Sequence, residues 1–329
     1  MTPRVTVLMA VKDGLPWIRE AIESVLSQTY RDFELLLVDD GSVDGTAEAA
    51  AAYGDRRLRV LRNDRNLGQV PSLNRGLREA AGAYVARLDA DDVCLPQRLE
   101  RQVAVLDAEP AVALTGAWTD VVDERGRLWA KVRGHVRDFP ELLFAILSDR
   151  YPFSHPSLMY RRDVVLELGG YDESLAPAED KDLYRRLALA RHEVRAVEQV
   201  LVRYRRHERQ LSQEQREVQL RHDHEGQERF LSELVGAEHA VRLRILLAEG
   251  GEDEELVRLL LDGADRRLSL APAEREKLEA LLAGHLAGRR GPLAPGATRF
   301  LRARPLAPLR RLARRSRLLR GLYSRLGAQ

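Results

Sequence analysis

A single cysteine, Cys94, stands in 329 residues, so neither an intrachain disulfide nor a thiolate zinc site can form, and the chain suits a reducing cytoplasm. No uncharged apolar run approaches the roughly 18 residues of a membrane span. The N-terminal run VTVLMAV, between Arg4 and Lys12, is too short and lacks a small-residue cleavage site, so it reads as a strand and not a signal peptide. Membrane contact is therefore expected to be peripheral. Acidic residues are missing from 289–329, where arginines abound, although the whole chain carries a net charge of only +2. No internal repeat is visible. What is present, 44% hydrophobic and 32% charged residues, reads as soluble and globular, with length for one large domain and an appendage.

The first 90 residues alternate short β-rich runs with amphipathic stretches. RVTVLMAV, FELLLVDD, LRVLR and YVARLD read as strands. Leu15–Thr29, Gly45–Tyr53 and Val70–Ala81 read as helices, the first with apolar residues at Ile18, Ile22, Val25 and Leu26. The unbroken apolar run of FELLLV predicts a strand buried on both faces. Repeated strand–helix–strand units predict a parallel sheet with right-handed crossovers, whose strand ends share one edge where ligands bind. A helix over Gln97–Leu106 and strands near Val112–Trp118 and Leu128–Val132 follow. From about Gln210 to Gly288 the pattern is helical throughout.

Two acidic clusters end strands and so face one crevice. Asp39 and Asp40 close the second strand before Gly41; Asp40 has the chemistry to accept hydrogen bonds from a base or ribose, and glycine allows close backbone approach. The same turn also reads as a tight bend with Asp44 capping the next helix. Asp89, Asp91 and Asp92 follow YVARL, and three carboxylates in four residues repel one another unless a cation sits among them. Oxygen ligands without neighbouring His or Cys favour Mg²⁺ or Mn²⁺, which commonly binds phosphate oxygens as well. A solvated acidic turn or a calcium loop is the alternative.

These motifs, with NLG at Asn66–Gly68, LDADDVCLPQRL, GGYDESL and Glu179-Asp180, resemble the inverting family 2 glycosyltransferases of GT-A fold over about Thr2–Ser212. The resemblance implies an α/β fold, a Rossmann-like, mostly parallel sheet flanked by helices, with a nucleotide-diphosphate sugar donor, most readily a UDP-sugar, and Mn²⁺ or Mg²⁺ at the D-x-D element. It places Asp40 against the base with Ala10 and Val11 lining its pocket, Asp39 and Gly41 at the nucleotide, and Asp91 and Asp92 at the ribose and metal with Asp89 beside them. It makes Asp180 the catalytic base and Glu179 its substitute, and puts His155 near the acceptor. A helix start with favourable dipole charges accounts for the acid pair otherwise, and a hydrogen-bonded structural role for His155. Arg205 or His207 in RYRRH would touch the pyrophosphate, unless the segment is a solvated strand edge. Members often carry Tyr-Asn after the first strand, where this chain has Lys12-Asp13. The implied setting is cell-surface polysaccharide or glycolipid synthesis, on a saccharide or lipid-linked acceptor.

The expected organisation is a catalytic domain over 1–212, a helical appendage over 213–288 and a basic tail over 289–329. In the tail, Leu309, Leu312, Leu319, Leu322 and Leu326 form a helical stripe among arginines, a pattern that lies on an anionic membrane at its cytoplasmic face. A solvated tail or a helix packed on a partner subunit fits the same residues. With only Phe300 and Tyr323 for stacking, nucleic acid is not expected. A sugar nucleotidyltransferase would open with a Gly-rich, Arg-containing loop, and AVKDGLPWI is not one. A non-catalytic nucleotide-sugar-binding protein of the same fold is the remaining alternative.

Overall fold

The computed structural model describes residues 2–151, 153–207, 210, 215–250 and 253–288. The domain boundary expected at 212 and the basic tail over 289–329 lie outside the described residues. In chain order the first half contains β1 (Val5–Val11), α1 (Ile18–Leu26), β2 (Phe33–Asp39), α2 (Thr46–Ala51), β3 (Leu58–Arg62), α3 (Gln69–Glu79), β4 (Tyr84–Arg87), β5 (Val93–Cys94) and α4 (Arg98–Ala108). The second half adds β6 (Val112–Val122), β7 (Leu128–Val132), α5 (Phe139–Leu147), β8 (Met159–Arg161), α6 (Arg162–Glu167), α7 (Glu179–Leu189) and β9 (Glu193–Arg205). Four helices close the described chain: α8 (Arg216–Val235), α9 (Ala237–Glu249), α10 (Glu254–Leu268) and α11 (Pro272–Leu286).

One sheet runs β3-β2-β1-β4-β8-β6-β9-β5, with β7 on β6. The first four strands are parallel, as the βαβ pattern requires. Beyond them β8 lies antiparallel between β4 and β6, β9 runs parallel to β6, and β5 pairs antiparallel with β9. Neither β8 nor β9 stands out in the sequence. β8 is only three residues long, and β9 carries Glu193, Arg195, Glu198 and Arg203, which mask its alternation.

Period-2 alternation sorts the core onto the two faces of the sheet. Val5, Val7 and Met9 of β1, with Leu35 and Leu37 of β2, pack against Ile18, Ile22, Leu99 and Val103. Leu8, Leu36 and Val38, pointing the other way, join Leu73, Leu77, Leu143, Leu183 and Tyr184. That second cluster continues into Phe230, Leu231, Leu260, Leu278 and Leu282. The C-terminal helices therefore share a core with the sheet. Lys277 of α11 reinforces the join with an ion pair to Glu141 of α5 at 2.9 Å. Among the described residues no helix is long and apolar enough to cross a membrane.

Candidate active site

At the carboxyl ends of β1 and β2, Val11 lies opposite Asp39, and Asp40 N–H donates to the Val11 carbonyl at 2.7 Å. Asp40 is buried. Its Oδ1 accepts from Asn63 Nδ2 (2.7 Å) and Leu67 N–H (2.9 Å), and its Oδ2 from Gly68 N–H (2.8 Å). The carboxylate thus anchors the Asn66–Gly68 loop, where the expectation directs it at a base. Asp39, fully buried, accepts from Ser42 N–H and faces Arg62 Nε at 3.3 Å. Gly41 has φ +74°, and a Cβ there would come within 2.8 Å of the Arg65 carbonyl carbon, so the close approach it permits is to the chain itself. Asp44 accepts from Thr46 N–H and Leu15 N–H, tying the turn to the loop after β1. Ala10 is half-buried and Val11 buried at the floor of this end.

β4 ends at Arg87, sooner than the alternation of YVARLD implies, and the acids come off it in a turn closed by Asp92 N–H on Asp89 O (3.2 Å). Turning lets carboxylates that an extended strand would spread apart converge: ligand oxygens of Asp89, Asp91 and Asp92 lie within 4.8 Å of one another. Arg87, 2% exposed, pairs with Asp89, and Gln69 Nε2 donates to Asp89 at 3.3 Å. Asp92 is fully buried; its Oδ1 accepts from Arg205 N–H (2.7 Å) while Oδ2 has no hydrogen-bond partner among the described residues. Burial, with Asp91 and Asp89 adding to it, holds the Asp92 carboxyl well above its ordinary range. Asp89 is also raised by burial, against the pull of Arg87.

His207 completes this cluster. Its Nε2 lies 2.8 Å from Asp91 Oδ2, its Nδ1 is buried without a partner among the described residues, and its ring stacks on Trp17 with centroids 4.2 Å apart. Three converging carboxylates, an orphaned buried oxygen and an imidazole nitrogen make a donor set that fits a divalent cation. Arg205 departs from the expectation that it reaches a pyrophosphate. Its guanidinium is buried and spent on Asp91 O (2.9 Å), Glu124 O (3.2 Å) and Glu20 (2.6 Å), so it fastens β9 under the acidic turn.

The acid pair opens α7. Glu179 is 3% exposed, its Oε1 3.6 Å from His155 Nδ1 and its Oε2 without a hydrogen-bond partner among the described residues. Burial, and then the neighbouring Asp180, push its carboxyl up to about 7. Asp180 is half-buried, accepts from Lys181 N–H at 2.8 Å and is likewise raised by burial. His155 bonds Tyr171 Oη through Nε2 (3.2 Å), and burial with the nearby Arg87 charge drives its imidazole well below the usual value. Arg87 draws down both carboxyls of the pair, and Asp89 and Glu179 repel each other, so pair and turn share one electrostatic environment.

Beside His207 opens a cavity of about 660 Å³ lined by Asp123, Glu124, Arg125, Arg127, Trp129 and Arg206. Trp129 is 55% exposed with the Arg206 guanidinium 4.2 Å over its ring. Sequence reasoning passes over Trp17, Trp129 and Arg87. Only Arg87 leaves a signal, a cation inside an otherwise apolar strand.

A sheet of this order with acids at its carboxyl edge is the GT-A class, and solved structures bear this out. Staphylococcus aureus TarS 1–349 in complex with UDP-GlcNAc superposes with a TM-score of 0.57 at 17% identity, over 87% of this chain and 92% of TarS. The mannosyltransferase PcManGT from Pyrobaculum calidifontis, in complex with GDP-Man and Mn²⁺, gives 0.50 at 22% identity, over 98% of this chain and 84% of that one. Within the class, the profile described as Glycosyl transferase family 2 matches residues 6–169. The amylovoran biosynthesis glycosyltransferase AmsE of Erwinia amylovora is 33% identical over 190 residues, 57% of this chain and 70% of AmsE. EpsE of Bacillus subtilis strain 168, named as a glycosyltransferase, is 38% identical over 172 residues, 51% of this chain and 60% of EpsE. The chain belongs to glycosyl transferase family 2.

Proposed function

We propose that the protein transfers a glycosyl unit, with inversion, from a nucleotide-diphosphate sugar to a hydroxyl of a saccharide or lipid-linked acceptor. The observation that carries this is the electrostatic closeness of two acid groups. The turn at Asp89–Asp92 concentrates negative charge that invites a cation, and the pair at Glu179–Asp180 holds carboxylates whose proton affinity burial has raised. A base of raised affinity takes a proton more readily near neutral pH than an ordinary carboxylate does. Asp180, the more open of the two, takes the acceptor hydroxyl proton as that oxygen bonds to the anomeric carbon. The bond from that carbon to the diphosphate oxygen breaks on the opposite side, and its electron pair leaves with the diphosphate. Glu179, buried between His155 and Asp180, orients the pair and carries a proton of its own up to about pH 7.

Asp91 and His207, with Asp89 and Asp92 beside them, would hold Mn²⁺ or Mg²⁺, which supplies positive charge for a departing diphosphate. Asp39, Asp40 and Gly41 shape the base pocket by fixing the 63–68 loop over the ends of β1 and β2. The names of AmsE and of the TarS complex support polysaccharide synthesis and a UDP-sugar donor. The cavity beside Trp129 is the acceptor's route, since an exposed indole offers a flat apolar face to a sugar ring. The Arg-rich 289–329 sequence would hold the chain against an anionic membrane where lipid-linked acceptors reside.

Thermal melting with a panel of UDP-, GDP- and dTDP-sugars, with and without Mn²⁺, tests this reading. A ligand that binds only the folded state raises the melting temperature. One donor is expected to do so, and only with metal present. A panel in which no sugar nucleotide shifts the transition under either condition sinks the proposal.

A further inference from the structure

The acid pair stands on a segment that the C-terminal helices hold. On α8, Gln219, His222, Asp223 and Gly226 recur at spacings of three and four and so form one stripe along the helix. Gln219 Nε2 donates to Pro177 O at 3.0 Å, and His222 Nδ1 bonds Ala176 O at 2.7 Å. Asp223, 3% exposed, takes Lys181 on one carboxylate oxygen and Arg185 on the other. Gly226 leaves room for the Arg185 guanidinium, whose Nη1 a Cβ would strike. A second anchor reaches Lys181 from the end of α5, where Asp149 Oδ1 lies 2.9 Å from its Nζ.

These contacts bracket Glu179-Asp180 from both sides, at 176–177 and at 181–185. The bracket has a physical task. Three acids, Glu179, Asp180 and Asp182, crowd the first turn of α7, and nearby Asp89 repels an ionised Asp180, and Glu179 once it has lost its proton. Unrestrained, that repulsion would swing the turn toward solvent and lengthen the distance from the base to an acceptor hydroxyl. An ångström of misplacement is enough to cost about a hundredfold in rate. A buried carboxylate with two cationic partners resists such a swing, because exposing one partner leaves an uncompensated charge.

We propose that the α8 stripe, with Asp223 at its centre, is a clamp that positions the catalytic acid pair. The C-terminal helices are then part of the catalytic machinery, although they lie beyond the residues that match the family profile. Asp223 is a positioning residue, acting through Lys181 and Arg185 without touching substrate. The inference rests on the reading of Glu179-Asp180 as the proton-accepting pair, and its test separates the two.

The full chain is measured three ways: amide hydrogen exchange of peptides covering 176–182, affinity for UDP with Mn²⁺, and turnover of the sugar nucleotide that the melting panel selects. Asp223→Asn, near-isosteric, is expected to speed exchange in 176–182 at least tenfold and to cut kcat at least tenfold, with UDP affinity and donor KM changed less than twofold. Should Asp223→Asn fail to fold, the half-buried pair Gln219→Ala with His222→Ala takes its place, with about threefold effects expected on the same two quantities. Unchanged exchange over 176–182 in a folded variant overturns the clamp. So does a loss of UDP affinity as large as the loss of turnover. Wild-type turnover by Asp180→Asn would sink the base assignment alone, since the exchange measurement does not depend on which carboxylate takes the proton.

Discussion

From β3 to β4 the strands run parallel, and the acidic residues of that half sit at strand ends a few positions from the elements that place them. From β8 to β5 the directions mix, and partners meet from far along the chain: Asp91 and His207 are 116 positions apart, Asp92 and Arg205 113. The first half gathers acids at its strand ends, and the second brings His207 and Arg205 to them. The difference teaches that the turn at Asp89–Asp92 belongs to both halves. β4 delivers it, but β9 donates to one oxygen of Asp92 and leads on to His207 beside Asp91.

The sharpest way to break this comparison is to remove the proposed base from the second half. Asp180→Asn is expected to lower transfer by about 100- to 10,000-fold, the usual worth of a positioned base, while metal-dependent stabilisation by donor persists; initial rates and melting curves on one preparation check it. Next in size is His207→Ala, which leaves every residue of the parallel half in place. Metal affinity, read by Mn²⁺ titration of donor-dependent melting, should weaken by at least about 10- to 100-fold, the range found for groups that support metal ligands. An unchanged titration would return the whole cation site to the acidic turn.

Acidity gives a smaller and signed effect. Glu179 binds its proton more tightly folded than unfolded, since burial raises it from 4.5 to about 7. The folded state therefore loses stability as pH rises through that window, where ionisation is opposed by burial, and retains it below. Glu179→Gln should flatten this part of the melting temperature against pH, leaving the variant relatively more stable above pH 7. Smallest of all, Trp129→Ala should raise acceptor KM about fivefold, the loss of roughly 1 kcal/mol of ring stacking, with donor KM unmoved.

The parallel half was legible because its rules are local. The unbroken FELLLV run announced a strand buried on both faces, and Leu35 and Leu37 indeed face away from Leu36 and Val38. The convergence of Asp89, Asp91 and Asp92 was legible from three carboxylates crowded into four residues at a strand end, although the counter-ion two positions earlier, Arg87, was passed over. β9 was hidden because its charges obscure the alternation, and with it the pairing of His207 to Asp91. Arg205 reads in sequence as a pyrophosphate contact or a solvated strand-edge cation, yet its guanidinium finds two backbone carbonyls and Glu20 that no local pattern reveals. The helices after 215 were legible as helices, but their union with the sheet core was not, since a Leu-rich face does not name the surface it buries.

By itself the sequence determined the strands and helices of the first 90 residues, the edge at which the acids gather, and the kinship of the motifs, because hydrophobic period and turn chemistry act within a few residues. Tertiary structure alone decided that Asp40 braces a loop, that Arg205 is buried, that His207 joins Asp91, and that α8 grips the segment bearing Glu179 and Asp180. Those outcomes depend on which distant donor reaches a buried carboxylate first, and burial is a property of the packed chain, not of any stretch of it.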